Sequence, residues 1–282
     1  QMCIRDRPLA DRQTMITVGQ DRMELTEPES FADILGALAP DVLINAAAYT
    51  AVDAAEADEE TATIVNAVAP GELARVARGM DVPFLHISTD YVFNGQPGKA
   101  WLETDAPAPL NAYGRTKLAG ERMVLDSGAR AAVVRTSWVF SETGNNFVKT
   151  MLRLGTERDE LSIVADQIGG PTSADDIAGA LMTMATAMAD QPAAAQTGVF
   201  HYSSQPACSW ADFASAIFNA AGWITDKPSV LPIATKDYKT AAERPLNSVL
   251  DCSKIARVFG IEQPDWCTAL SRVVAKLEPE QV

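Results

Sequence analysis

Two stretches of the chain carry side chains able to move a proton. Ser88-Thr89-Asp90-Tyr91 stands at the end of an apolar run over 82–87, and Tyr113 and Lys117 follow within Tyr113-Gly114-Arg115-Thr116-Lys117. Residues four apart share one face of a helix. A helix here would therefore turn Tyr113 and Lys117 the same way, toward the hydroxyls of Ser88 and Thr89. A phenol titrates at about 10 in water. An ammonium beside it favours the phenolate, so Lys117 is expected to lower Tyr113 and fit it to exchange a proton near neutrality. Taken alone, the Tyr/Lys pair also fits an ordinary surface pair, and Ser88-Thr89-Asp90 an ordinary cap or turn. What surrounds them decides.

The positioning elements read as alternating strands and helices. Thr14 to Val18 has the pattern of a short strand, and Thr26 with Glu29 that of a capping box ahead of Phe31, Ile34, Leu35 and Leu38 at helical spacing. Residues 41–45 form a near-continuous apolar run, as in a buried parallel strand. They end in Ala46-Ala47-Ala48, small enough for a flat ligand to lie against the backbone at a strand end. The acidic stretch from Asp53 to Glu60 reads as a solvated face, and the helix after it as interrupted or kinked at Pro70-Gly71. Strand 82–87, a long Gly- and Pro-containing loop from Asn94 to Asn111, helix 111–126 and strand 131–136 follow.

This alternation predicts an α/β fold, a Rossmann-like doubly wound parallel sheet. Right-handed crossovers place every strand's carboxyl end on one edge, so Asn45 to Ala48, Ser88 to Asp90 and Thr136 to Trp138 should converge there. Past residue 140 the rhythm loosens. Helices near 144–155, 173–189, 209–221, 251–259 and 264–278, with strands at 161–164 and 198–202, predict a smaller mixed α/β lobe that closes over the edge.

Composition narrows the function. A chain of 282 residues, 47% hydrophobic, can bury a large core, as two domains or one large α/β domain. A net charge of −14 argues against a nucleic-acid surface, while leaving room for a small anionic ligand held by a few local cations. No apolar run approaches the length of a membrane span, and no secretory signal is visible at the start. Cys3, Cys208, Cys252 and Cys267 lack metal-type spacing, and His86 and His201 lie in apolar sequence. We therefore expect no metal site, no membrane partner and a reducing cytoplasm as the location.

Several longer motifs resemble the extended short-chain dehydrogenase/reductases. They are STDYVF at 88–93, APLNAYGRTKLAGE at 108–121, NAAAYTAVDAAE at 45–56, RTSWVF at 135–140, GNNFVKTMLRL at 144–154, DQIGGPTSADDIA at 166–178 and RPLNS at 244–248. The resemblance spans about 14–278, and within the family it points to the branch that reduces dTDP-4-dehydro-β-L-rhamnose to dTDP-β-L-rhamnose. It implies catalytic roles for Thr89, Tyr113 and Lys117, and cofactor contacts at Glu24, Leu25, Ala46, Ala47, Ala48, Tyr49, Thr50 and Ile87 as well as at Tyr113 and Lys117. Substrate contacts are implied at Thr89, Asp90, Trp138 and Arg244, the last toward the nucleotide diphosphate. It implies NADPH or NADH as cofactor and a dTDP-sugar as substrate, with a homodimer as an open expectation. Asp21 beside Arg22 leaves the choice between the two cofactors open. The dinucleotide-binding domain is then expected over 1–140 plus about 172–195, and the sugar-nucleotide lobe over 141–171 plus about 196–282.

The start of the chain departs from the family, which opens with a buried strand and a glycine-rich phosphate loop. Gly19 is the only glycine before Gly36, so we expect a chain incomplete at its front. Two alternatives share these motifs. One is a sugar-nucleotide epimerase or dehydratase of the same family, which keeps its cofactor. The other is a non-catalytic regulatory subunit resembling the β subunit of methionine adenosyltransferase.

Overall fold

Short apolar runs separated by amphipathic helices assemble a four-stranded parallel sheet with helices on both faces. The architecture comes from a computed structural model, in which residues 14–190, 193 and 196–278 are described. In chain order the first half runs α1 (Phe31–Leu38), β1 (Leu43–Asn45), α2 (Val52–Ala55), α3 (Glu59–Thr63), a π-helical turn (Ile64–Val68), α4 (Ala69–Gly79), β2 (Phe84–Thr89), α5 (Ala112–Asp126) and β3 (Ala131–Thr136). The second half runs β4 (Val139–Phe140), α6 (Phe147–Glu157), β5 (Glu160–Val164), β6 (Ile168–Gly169), β7 (Thr172–Ser173), α7 (Ala174–Asp190), β8 (Gly198–His201), β9 (Cys208–Ser209), α8 (Trp210–Ala220), β10 (Ser229–Ile233), β11 (Asn247–Ser248), α9 (Ser253–Phe259) and α10 (Trp266–Leu277).

The main sheet has the order β1-β2-β3-β8, parallel throughout, with Asn45 opposite His86 and Thr89 opposite Thr136. Alternate residues of the strands feed two cores. Phe84, Ala131 and Val133 pack with α1, α4 and Val124 of α5 on one face. Leu85, Ala132 and Val134 pack with α7 and α9 on the other. A third core joins α6, α8 and α10 through Phe213, Ile217, Phe218, Leu270 and Val273. The doubly wound sheet and the mixed second lobe are thus as the sequence predicts. The expected lobe boundary is corrected, because β8 completes the main sheet and α9 packs on it, which removes both from the second lobe.

Three local expectations are overturned as well. Thr14 to Val18 is not a strand, and Ile16 is 51% exposed. Strand propensity is realised only against a hydrogen-bonding neighbour, and among the described residues β1 pairs with β2 alone. Thr26 does not cap α1, since Pro28 opens a 3-10 turn over Pro28–Ser30 and moves the helix start to Phe31. Pro70-Gly71 does not break its helix. Pro70 has no N–H to offer the Asn66 carbonyl four residues earlier, and the helix absorbs the loss as the π turn at Ile64–Val68. That carbonyl comes so close to Gly120 of α5 that any Cβ there would collide with it. The expectations for residues 1–13 lie outside the described residues.

Candidate active site

The β2 strand delivers Thr89 to the carboxyl edge of the sheet, where the chain enters a 3-10 turn over Asp90–Val92. Thr89 caps this turn by accepting from the Tyr91 backbone N–H at 3.1 Å, and its hydroxyl donates to Asp90 Oδ1 at 3.0 Å. α5 begins beside it because the Asn111 side chain caps the helix, accepting from Gly114 N at 2.8 Å. Gly114 permits the approach, since a Cβ there would strike the Tyr91 carbonyl. Tyr113 consequently lies edge-on to Tyr91, with ring centroids 5.7 Å apart.

Burial pushes Tyr113 up to about 12, against a nearby Thr89 hydroxyl and with the Asp90 carboxylate adding to the rise. The expectation that Lys117 lowers the phenol is thereby corrected. The Lys117 ammonium is turned elsewhere: Nζ donates to the Ile87 carbonyl at 2.7 Å and lies 3.3 Å from His86 Nε2. Lys117 is itself buried, which brings it down to about 8 despite the Glu121 carboxylate on the same helix.

Asp90 is buried, and burial raises it from 3.8 to about 6 against the pull of the Ser248 and Thr89 hydroxyls. Among the described residues its Oδ2 has no hydrogen-bond partner. Trp138, just past β3, takes a left-handed backbone with φ of 48° and stacks on Trp210 at 3.6 Å between ring centroids. Its indole lies where a side chain at Gly169 would stand.

One open cleft of about 3640 Å³ gathers these groups. Glu24, Leu25, Ala46, Ala47, Ala48, Tyr49, Thr50, Ile87, Thr89, Asp90, Tyr113, Lys117 and Trp138 all line it. Arg244 is not in that lining. Its guanidinium grips Asp53, with Nη2 to Oδ2 at 2.6 Å and Nη1 to Oδ1 at 3.1 Å. The acidic stretch is likewise no plain solvated face. Asp53 holds Arg244, Glu56 accepts from Ala112 N at 2.7 Å, Asp58 caps α3 and Glu59 holds Arg115.

A nicotinamide dinucleotide fits this lining. The cleft is large, the side chains after β1 are small, and Tyr113 and Lys117, one helical turn apart, both line it. Among the described residues no glycine-rich turn borders it; the segment Thr14 to Thr26 passes there with Gly19 as its one glycine. Sequence reasoning placed Asn45 at the sheet edge without a role and missed His86, Asp53 and Trp210. Trp210, an aromatic opening a helix in the second lobe, carried the only visible signal.

A doubly wound parallel sheet whose carboxyl edge gathers Thr89, Tyr113 and Lys117 around a dinucleotide-sized cleft defines a short-chain dehydrogenase/reductase type of protein. More narrowly, the family model described as "RmlD substrate binding domain" matches residues 5–278, and the chain belongs to that family. A relative named dTDP-4-dehydrorhamnose reductase from Sinorhizobium fredii is 43% identical over 92% of this chain and 88% of its own length. The protein of that name from Escherichia coli K12 is 38% identical over 90% of this chain and 85% of its own. The crystal structure of a dTDP-4-dehydrorhamnose reductase from Clostridium acetobutylicum superposes with a TM-score of 0.86 at 35% identity, covering 93% of this chain and 90% of that one. The Bacillus anthracis enzyme, solved in complex with NADP, gives 0.82 at 36% identity, covering 92% and 89%.

Proposed function

We propose that this chain reduces dTDP-4-dehydro-β-L-rhamnose to dTDP-β-L-rhamnose with NADPH or NADH, a step of dTDP-rhamnose biosynthesis. The observation that carries the reading is the convergence of Thr89, Tyr113, Lys117, Asp90 and Trp138 on one cleft, in a chain so similar to reductases of that name. When bound, the reduced nicotinamide supplies hydride to C4 of the sugar. Tyr113 gives its proton to the carbonyl oxygen, and a phenol held at about 12 is fully loaded for this at neutral pH. Thr89 hydrogen-bonds the reacting oxygen or the phenol. Lys117 restores the Tyr113 proton and holds the nicotinamide ribose.

Glu24, Leu25, Ala46 to Thr50 and Ile87 would border the dinucleotide. Trp138, immobilised by Trp210, forms a wall for the sugar. Arg244 reaches a diphosphate only after releasing Asp53. The two lobes are proposed as the dinucleotide and sugar-nucleotide halves, with β8 and α9 counted in the first. A cytoplasmic location and a homodimer complete the reading. Among the described residues no helix is long and apolar enough to cross a membrane, and sedimentation tests the dimer.

The decisive assay follows absorbance of NADPH with the dTDP-4-keto sugar and identifies the product by NMR. One NADPH oxidised per dTDP-rhamnose formed is the expected result. Product without net oxidation would make the chain an epimerase or dehydratase, and no turnover beside stable association with a synthetase would make it a regulatory subunit.

Asp90 is proposed to accept a sugar hydroxyl through its unpartnered Oδ2, at a cost in stability. Its folded-state pKa is raised, so the folded chain binds the proton more tightly and stability falls as pH rises from about 4 to 6. Two units correspond to about 3 kcal/mol. Asp90→Asn is therefore expected to melt higher than the parent above pH 6, to lose that advantage below pH 4, and to bind substrate more weakly. Equal melting curves across this range would remove the carboxylate's cost from the account.

A further inference from the structure

Lys117 is the end of a buried chain of polar groups whose other two members have no part in the proposed reaction. Asn45, His86 and Lys117 come from β1, β2 and α5 and are 5%, 0% and 2% exposed. Asn45 Nδ2 is 3.2 Å from His86 Nδ1, and His86 Nε2 is 3.3 Å from Lys117 Nζ. A third contact fixes the direction of the chain: the Ala47 backbone N–H donates to Asn45 Oδ1 at 3.1 Å.

A backbone N–H can only donate, so the Asn45 amide has its oxygen toward Ala47 and its NH₂ toward His86. Flipping the amide would set donor against donor at Ala47. The NH₂ in turn requires a lone pair on His86 Nδ1. A neutral imidazole carries one proton, which must then sit on Nε2, facing Lys117. The ring is neutral because burial and the neighbouring Lys117 push it well below the usual histidine range. An N–H aimed at Nζ is satisfied by an amine lone pair and opposed by an ammonium.

We propose that Asn45 and His86 are positioning residues that set the protonation of Lys117: Asn45 fixes the proton of His86 on Nε2, and that N–H makes Lys117 Nζ a hydrogen-bond acceptor. The inference takes the role of Lys117 from the reductase reading above, and the tautomer from hydrogen-bond geometry alone. In the reaction, Tyr113 gives its proton to substrate and becomes phenolate. The Lys117 ammonium, bonded to the Ile87 carbonyl in this structure, returns a proton to it through water of the cleft, and the amine left behind accepts from His86 Nε2–H until solvent restores the ammonium. The relay favours the state that exists just after the proton has been passed on.

Other groups near Lys117 do not duplicate this effect. Glu121 on α5 favours the ammonium, but its carboxylate is bound by Arg135 of β3. Tyr113 lies one turn back on α5, and Asp90 past β2 acts on Tyr113. β1 offers Asn45 and the π turn Asn66, neither of them titratable.

The test is Asn45→Asp, which exchanges the donor facing His86 for an acceptor of the same shape. With only two histidines in the chain, ¹⁵N-histidine NMR reads the ring tautomers directly and needs no activity. The parent is expected to show His86 protonated on Nε2, and Asn45→Asp to move the proton to Nδ1. With the Nε2 lone pair then facing Lys117, the basic limb of kcat should rise by at least one pH unit, a tenfold change in proton concentration. A parent protonated on Nδ1 overturns the proposal, even if the variant fails to fold. So does a basic limb that moves without the tautomer, which would mark the added charge as the cause, and so does a tautomer that moves without the limb. A chain with no NADPH oxidation at all would instead sink the reductase reading and leave the tautomer assignment to the NMR.

Discussion

Replacing Tyr113 with Phe is expected to lower kcat for NADPH-dependent reduction by ~10²- to 10⁴-fold, the usual contribution of a positioned general acid. Only the hydroxyl is lost. The ring still lies edge-on to Tyr91, and Gly114 still lets α5 approach the end of β2. Circular dichroism and NADPH affinity should therefore stay close to the parent's. The effect is large because the neighbouring Thr89 hydroxyl does not replace the phenol as an acid: Thr89 caps the 3-10 turn and bonds to Asp90, and an alcohol is a far weaker acid than a phenol. Burial raises Tyr113 to about 12, so it is loaded with its proton across the neutral range. Turnover within about tenfold of the parent would remove Tyr113 from the chemistry and turn attention to water in the cleft, because general acid catalysis accounts for at least that much.

The largest stability effect is expected at Arg135. Its guanidinium makes a two-pronged ion pair with Glu121, Nε to Oε1 at 2.9 Å and Nη2 to Oε2 at 2.6 Å, with both residues at 3% exposure or less. Ser88 donates to the same carboxylate at 2.5 Å, and the guanidinium sits 5.0 Å above the Phe93 ring. Arg135→Met leaves the Glu121 carboxylate in the core without its cation, which costs about 3–5 kcal/mol where one partner of a buried pair is removed. Urea unfolding should show the loss as a lower midpoint at an unchanged slope. Changing Glu121 to Gln as well should restore much of it, because the stranded charge is the main cost. If the single variant unfolds within about 1 kcal/mol of the parent, in the range of an exposed pair, the network is not the stabilising element that its burial indicates.

The strand ends were legible because a parallel αβ repeat obeys rules that act locally and on handedness. Apolar runs at 41–45, 82–87 and 131–136 name the buried strands, and right-handed connection sends their ends to a common edge. Once Tyr113 and Lys117 are placed on α5, which starts at that edge, most of the cleft lining follows. Thr14 to Val18 failed for a different reason: its composition suits a strand, but a strand exists only as part of a ladder.

The sequence by itself determined the class of fold, the common edge, and the meeting of Thr89, Tyr113 and Lys117 in one cleft, since each depends on period, spacing and chirality. Tertiary structure alone decided how the polar groups are partnered. Lys117 meets His86 across 31 residues and Arg244 meets Asp53 across 191, while Trp138 meets Trp210 through a left-handed turn. Nothing in the period of a helix or strand names the partner of a buried cation. That choice is made when the elements pack and water leaves, because each donor must then find an acceptor within reach or bear the cost of burial without one.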